Sequence, residues 1–333
     1  MTGRMWGRIL CALGLLFLAR LCWSSSEVTV MTGPGGPLQD SMVQDLVNAL
    51  PPIADLQLKP RTMSGMADSL MRLQQSTELS LLLVPADAVA AYQEAADLGF
   101  RKAGDLIRPL RLLVPLYRAQ FLVLVRADSQ LESMTDLQWI RRINLGPLKS
   151  DAAMSMSRLY KSMFGTPLPP GRVTHYSDEE ALKRLVGDHS VDAVVVLSAA
   201  PAKVLADMKP EARHYVRLLR YEPVSNDAPS PYEAVTAFAS DYSSLLSEDL
   251  TTLGVAFWLA AHGPYDEEAS ERLSHLVENW CQIRAQLQAA GRPGWAQIPS
   301  THWVPPPGAS YAESIAERLI SCQMPDKAPP SGR

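Results

Sequence analysis

The sequence lacks the features that would place it at once in several large classes of protein. No apolar run reaches about 18 residues, the length that crosses a bilayer, so a polytopic membrane protein is excluded. Basic residues are not in excess: 31 Lys and Arg against 35 Asp and Glu give a formal charge of −4, which argues against a nucleic-acid-binding protein. With 19 Gly, 26 Pro and 47% hydrophobic residues, the 333-residue chain is predicted to fold, into about two domains.

Catalytic and metal-binding motifs are also missing. The six His form no His-x-x-x-His pair, and the sequence has no Cys-x-x-Cys, no Gly-x-Ser-x-Gly and no P-loop. Gly33-Pro-Gly35-Gly36 resembles the start of a dinucleotide fingerprint, but Leu38 stands where the third glycine is needed. We therefore predict no enzyme activity, no cofactor and no metal site.

The first 26 residues are typical of a secretory signal peptide. Arg4 and Arg8 precede the apolar run Ile9–Ala19, and small residues follow at 24–26. The apolar core is short for a membrane span, although an uncleaved membrane anchor is the alternative interpretation. The pattern predicts that the protein is exported.

Two of the four cysteines remain after the predicted signal peptide. Cys281 and Cys322 form an even pair in an exported chain, which makes them candidates for a disulfide. Closing a loop of about 40 residues would add about 3–4 kcal/mol by the loop-entropy estimate. The alternative is two free buried thiols.

Strands and helices alternate along the chain, which predicts an α/β fold with largely parallel sheets. Arg111–Tyr117 and Phe121–Arg126 are apolar runs with almost no turn residues between them, so we interpret them as one long crossing between two lobes. Helices are predicted at 249–261, 267–289 and 311–322, and a returning strand at 234–239. The predicted division is lobe 1 at 27–116 and 226–324, lobe 2 at 117–225, and a disordered tail at 325–333.

Four loops that follow strands are the candidate binding elements, because open α/β sheets bind ligands at the carboxyl ends of their strands. Glycines there free backbone N–H groups, and the helix that follows each loop adds a positive dipole end. The candidate residues are Thr32, Gly33, Gly35 and Gly36; Ser64 and Gly65; Asp87; and Lys149 and Ser150. The alternative is that the glycines only make turns, that Asp87 and Ser150 only cap helices, and that Lys149 is only solvated.

An ordered set of motifs resembles one known family. The set comprises Thr-Gly-Pro-Gly-Gly at 32–36, Ser-Gly at 64–65, Pro-Ala-Asp at 85–87, Leu116-Tyr117, Phe121–Arg126, Met134–Leu137, Ile143–Gly146 with Ser150, Val191–Val194 and Pro201. Over residues 27 to 280 the chain resembles the TAXI family, the solute-binding proteins of TRAP transporters of that type.

The resemblance implies a type II periplasmic-binding-protein fold, two α/β lobes with a hinge and an interlobe cleft. It also implies a periplasmic location, capture of a glutamate-like or dicarboxylate solute without bond chemistry, and delivery to a membrane permease. Tyr117 and Asn144 join the candidate ligand residues through it. The chain departs from the family where Ser150-Asp151-Ala152 replaces Ser-Gly-Thr, because Asp151 would repel an anion if it faced the cleft.

Two other functions stay open at this stage. A ligand-sensing subunit of a membrane receptor would use the same fold, and a sensor kinase rather than a permease as its genomic neighbour would indicate it. A secreted enzyme built on two α/β lobes would show turnover that one side-chain change abolishes.

Overall fold

The computed structural model of the chain describes residues 26–34, 37–50, 56–222, 230–292, 294–296, 298, 305–312 and 315. Several predictions fall on residues outside these ranges. They concern the signal peptide up to residue 25, the glycines Gly35 and Gly36, Cys322, most of the helix at 311–322, and the tail at 325–333. The side chain of Cys281 is likewise outside the described part, so the disulfide stays a prediction. Within the described ranges no helix has the length and apolar character to cross a membrane.

The described residues form ten strands and eight α-helices. The strands are β1 Ser26–Thr32, β2 Leu56–Thr62, β3 Ser80–Pro85, β4 Leu110–Arg126, β5 Ile143–Asn144, β6 Val173–Thr174, β7 Ala193–Ser198, β8 Val216–Leu218, β9 Tyr232–Ala237 and β10 Leu250–His262. The helices are α1 Pro37–Ala49, α2 Met66–Gln75, α3 Ala86–Asp97, α4 Arg101–Ile107, α5 Asp151–Phe164, α6 Asp178–Val186, α7 Lys203–Ala206 and α8 Glu267–Ala289. Three short 3₁₀ helices occupy Met134–Trp139, Pro170–Arg172 and Pro210–His214.

The strand order defines two lobes of the same design. The sheet runs β2-β1-β3-β10-β4-β7-β5-β6, with β8 and β9 pairing off this path. In lobe 1, β1 pairs in parallel with β2 and β3, and β10 is antiparallel to β3. In lobe 2, β5 pairs in parallel with β6 and β7, and β4 is antiparallel to β7. Each lobe is thus three parallel strands closed by one antiparallel strand, and the predicted α/β two-lobe class is confirmed.

Two long strands connect the lobes. β4 and β10 are antiparallel neighbours: Leu110 of β4 lies opposite His262 of β10, and ten residues further along β4, Gln120 lies opposite Gly254. The remainder of β4 continues into lobe 2 beside β7. The single crossing that was predicted over residues 111–126 is confirmed as β4. The helix predicted at 249–261 is wrong, because this segment is the strand β10. Its apolar residues pack on both faces of the sheet and leave no alternation for a sequence pattern to report.

Local sequence signals explain where most helices begin and end. The Ser150, Ser177 and Asp266 side chains accept hydrogen bonds from the N–H groups of residues three positions later, which caps α5, α6 and α8. Gly165 ends α5 with a left-handed φ of 70°. The predicted bounds of α8, 267–289, are confirmed.

The hydrophobic core has two parts, separated in lobe 2 by the sheet itself. Successive residues of β4 alternate between them: Phe121, Val123 and Val125 belong to the large cluster that also fills lobe 1. Leu122 and Leu124 face a second cluster under α6. The continuous apolar character of β4 therefore reflects burial on both faces, as helix-covered sheets require.

Candidate functional site

The loops that follow the parallel strands of the two lobes meet face to face. A Cβ atom added to Gly33, after β1, would lie 2.6 Å from Oδ1 of Asp151 at the start of α5. A Cβ atom added to Gly65, after β2, would lie 2.8 Å from the backbone O of Lys149. Each contact joins lobe 1 to lobe 2, so the predicted loops converge across the lobe boundary.

An added side chain would collide with lobe 2 atoms at both contacts. At Gly33 the constraint is the close approach of the Asp151 carboxyl, since a distance of 2.6 Å is well inside van der Waals contact. At Gly65 the backbone adds a second constraint, because its φ of +148° is one that side chains rarely adopt. Both glycines are buried, so protein atoms rather than solvent fill the space between the loops.

The Asp151 carboxyl occupies the centre of this contact. The side chain is 3% exposed, and neither oxygen has a hydrogen-bond partner in good geometry within the described ranges. Burial and then the neighbouring Asp87 carboxyl raise the pKa of Asp151 to about 7, against the opposing effect of Gln39. Near neutral pH a proton on Asp151 therefore relieves the cost of burying its charge.

A second buried carboxyl, Asp87, lies in the first turn of α3. The Tyr232 hydroxyl lies 3.1 Å from Oδ2 of Asp87 and 3.3 Å from the backbone O of Ser155 in α5. Burial raises the pKa of Asp87, and the Ser155 and Tyr232 side chains act against the rise. Burial, and then the Asp87 charge, raise the pKa of Tyr232. The hydroxyl therefore remains protonated and can donate to Asp87 and to Ser155 O of lobe 2.

Charged side chains continue this contact toward solvent. Glu94 of α3 pairs with Arg158 of α5 at 2.9 Å and with Lys161 at 3.6 Å. The Arg158 hydrogen bond lowers the pKa of Glu94. Because Glu94 is largely exposed, these pairs orient the lobes more than they stabilise them.

Tyr117 and Asn144 have different roles in the structure. Tyr117 of β4 is buried and stacks on Phe257 with ring centroids 4.7 Å apart, and burial, then the Asp151 charge, raise its pKa. The Asn144 amide is used within lobe 2: its Nδ2 donates to Tyr176 O at 3.2 Å, and its Oδ1 accepts from Tyr176 N at 2.8 Å. Asn144 therefore fixes a strand end.

The other predicted residues differ in exposure: Thr32 and Ser150 are buried, whereas Ser64 and Lys149 are exposed. Thr32 is buried beside Gly33, and its backbone O accepts from Met63 N at 2.8 Å. Ser64 is exposed and bonds Asp68 through both its N–H and its hydroxyl, while Ser150 caps α5 through Ala153 N. Lys149 is exposed with a left-handed φ of 66°. The capping alternative thus describes Ser150, whereas the Asp87 side chain faces Tyr232.

Three residues of this contact are not among the candidates predicted from the sequence. Asp151 was noted only as a departure from the family pattern, and its place at the start of a predicted helix was the available signal. Tyr232 and Gln39 carried no signal, because nothing local links them to loops far away in the chain. Within the described ranges no cluster of three or more His, Cys, Asp or Glu is placed to hold a metal ion.

Comparison with known proteins identifies no family for the chain. No family model matches the chain, and no curated protein sequence matches it. A solved structure described as a periplasmic transporter aligns with TM-score 0.49 and 12% identity over 90% of this chain and 96% of its own. R. palustris Rpa4515 with adipate aligns with TM-score 0.48 and 16% identity over 82% and 90%. The periplasmic binding protein BugD gives 0.47 and 12% over 89% and 94%.

Proposed function

We propose that the chain is an extracytoplasmic solute-binding protein, which holds a small molecule between its lobes and delivers it to a membrane transporter. The observation that carries this proposal is the meeting of strand-end loops from both lobes at Gly33 and Gly65. Ligands of open α/β sheets bind at such strand ends, and two lobes on a pair of connecting strands can close on one by hinge motion.

We further propose that the lobes divide at the crossing strands. Lobe 1 comprises residues 27–116 and 226–324, and lobe 2 comprises 117–225. Pairing of β10 with β3 from Phe257 to Ala261 supports the return of the chain to lobe 1 along β10, although Ala237 and Tyr242, which precede β10, pack in the cluster of Leu122 and Leu124 in lobe 2. Opening then requires β4 and β10 to bend where they leave lobe 1.

The partner in this proposal is a TRAP permease of the TAXI type, as the ordered motifs suggest. The same resemblance suggests a glutamate-like or dicarboxylate solute. Asp151 sets a condition on such a solute, because an ionised Asp151 and a ligand carboxylate would repel each other in a site from which water is excluded. The carboxylate is accommodated only when Asp151 retains its proton or moves away from Gly33.

The mechanism that follows contains binding and closure, and no bond-making step. The open form exposes Gly33, Gly65 and the starts of α2 and α5. The solute displaces the Asp151 carboxyl from Gly33, and closure then presents a surface for the permease that exists only when both lobes meet. The solute binds the closed form more tightly than the open form, and this difference in binding free energy shifts the equilibrium toward the closed form.

Native mass spectrometry of protein purified from its host, followed by calorimetry with the retained molecule, tests the proposal. In the Gly65→Ala variant we expect the affinity to fall at least tenfold, because the methyl group meets the Lys149 carbonyl on closure. Gly171→Ala is the matched control, since a Cβ there meets nothing within 4 Å. A protein that retains no small molecule and binds neither glutamate nor dicarboxylates would contradict the proposal, as would equal affinities in the two variants.

A further inference from the structure

A cavity lies at the end of lobe 1 opposite to the interlobe loops. It has a volume of about 620 Å³ and forms where β4 begins and β10 ends; we name it the basal cavity, and its walls include Arg108, Pro109, Arg111, Pro264, Tyr265 and Ser270. β10 pairs with β3 so that Phe257 meets Pro85 at the loop end, while Ala261 meets Leu81 at the other end. The cavity therefore belongs to neither the interlobe contact nor the residues discussed for it.

Two arginines give the basal cavity its charge. Neither Arg108 nor Arg111 forms an ion pair with an acidic side chain in the described part of the chain. Nη1 of Arg111 donates to the backbone O of Arg108 at 2.6 Å and of Leu110 at 3.0 Å, which fixes the guanidinium on the wall. Its other N–H groups have no partner in the part of the chain that the structure describes, and a fixed guanidinium is suited to a carboxylate, sulfonate or phosphate.

Two acidic side chains at the start of α8 are engaged elsewhere. Asp266 accepts from Ala269 N at 2.7 Å, and Glu268 pairs with Arg272 one turn along α8. Neither of these acids lines the cavity. The positive charge of the two arginines is therefore not neutralised by the helix that borders them.

Uncharged hydrogen-bonding groups are present beside the arginines. Oη of Tyr265 is buried in the wall and has no hydrogen-bond partner within the described ranges. Nε2 of His262, two residues before Pro264, is also buried without a partner there, although His262 does not line the cavity. Burial raises the pKa of Tyr265 to about 12 against the opposing Arg111 charge, so the hydroxyl is a donor at all physiological pH. A buried donor without a partner is costly unless a ligand or water supplies one.

The rest of the wall is apolar. Pro109, Pro264, Ala312 and the Tyr265 ring offer flat surfaces next to the guanidinium groups. We propose that the basal cavity binds a small organic anion that joins one carboxylate, sulfonate or phosphate group to a flat apolar body. The anionic group contacts Arg108 and Arg111, and the apolar body lies against the prolines and the tyrosine ring.

Fluorescence titration with 8-anilinonaphthalene-1-sulfonate, an aromatic sulfonate, tests the proposal on the full chain. We expect one saturable site, and a dissociation constant raised at least tenfold in both Arg108→Met and Arg111→Met, which keep the aliphatic stem and remove the charge. Arg72→Met is the control, because Arg72 is an exposed arginine of lobe 1 that does not line the cavity. Phenyl phosphate should displace the probe at lower concentration than inorganic phosphate.

Each outcome decides the question. Equal affinity in wild type and Arg108→Met overturns the proposal, as does an equal loss in Arg72→Met, which would indicate general attraction to positive charge. Arg108 is exposed and its side chain makes no hydrogen bond in the described part, so this variant is informative even if Arg111→Met does not fold. Binding must also persist in Gly65→Ala, which separates this site from the interlobe proposal.

Discussion

Replacing Asp151 by Asn should make the stability of the protein less sensitive to pH. In the unfolded chain this carboxyl loses its proton near its ordinary pKa of 3.8, whereas in the folded chain burial holds the pKa at about 7. The folded state therefore binds the extra proton between these values, and stability falls as pH rises through that window. At 1.36 kcal/mol per pKa unit, the loss is about 4 kcal/mol by pH 8.

Thermal unfolding of the wild type and Asp151→Asn at pH 4 and pH 8 measures this loss. The neutral amide fills nearly the same space as the protonated acid, so the two proteins should unfold at similar temperatures at pH 4. At pH 8 the variant should be more stable, by on the order of 10 °C for a chain of this size. Asp105→Asn, at an exposed position, is the control and should show no such dependence. If the difference between wild type and Asp151→Asn is the same at both pH values, the Asp151 carboxyl is not buried as described.

Three further changes test the contact between the lobes. Gly33→Ala should hold the lobes apart, because the methyl group would lie 2.6 Å from the Asp151 carboxyl, and adding Asp151→Ala should restore closure. Small-angle scattering measures the radius of gyration of both variants, and an unchanged value in Gly33→Ala would contradict the contact. Tyr232→Phe should cost about 1–3 kcal/mol in urea unfolding, because the buried Asp87 loses the hydroxyl that donates to its Oδ2, and a loss below about 0.5 kcal/mol would contradict this hydrogen bond. Glu94→Gln should cost less than about 1 kcal/mol, a loss that high salt removes, and a larger loss that salt leaves intact would show a buried pair.

Patterns that are local in the sequence predicted the structure well. Ser177 with Asp178 and Asp266 with Glu267 are capping signals, and α6 and α8 begin where these signals place them. The run Arg111–Arg126 has too few turn residues to contain a hairpin, and it forms one strand. In each case the energy that decides the structure lies between neighbours in the chain, so the chain order contains it.

The strand β10 shows where local patterns are insufficient. Leu253, Phe257 and Ala260 recur at helical spacing, but Thr251 and Thr252 are β-branched residues that favour a strand. Pairing with β3 on one side and β4 on the other decides between these preferences, and both partners lie more than a hundred residues away. Such long-range pairing overrides the weak helical periodicity.

The loops of the candidate site were predicted from the sequence, but the side-chain contacts at its centre were not. The sequence indicated which loops share the carboxyl ends of strands, and the structure brings Gly33, Gly65 and Lys149 together across the lobe boundary. The hydrogen bond between Tyr232 and Asp87 joins residues 145 positions apart, and no pattern connects them. The position of the Asp151 carboxyl against Gly33 depends on how closely the lobes approach, which is a property of the whole fold.

The central place of β10 has a consequence for how the chain assembles. A fragment that ends before residue 250 contains β3 and β4 but not the strand between them, and so leaves one long edge of each without hydrogen-bond partners. Unpaired apolar edges of this kind associate with other chains. Truncated forms should therefore aggregate, and refolding should be slow, because the middle of the sheet is supplied last.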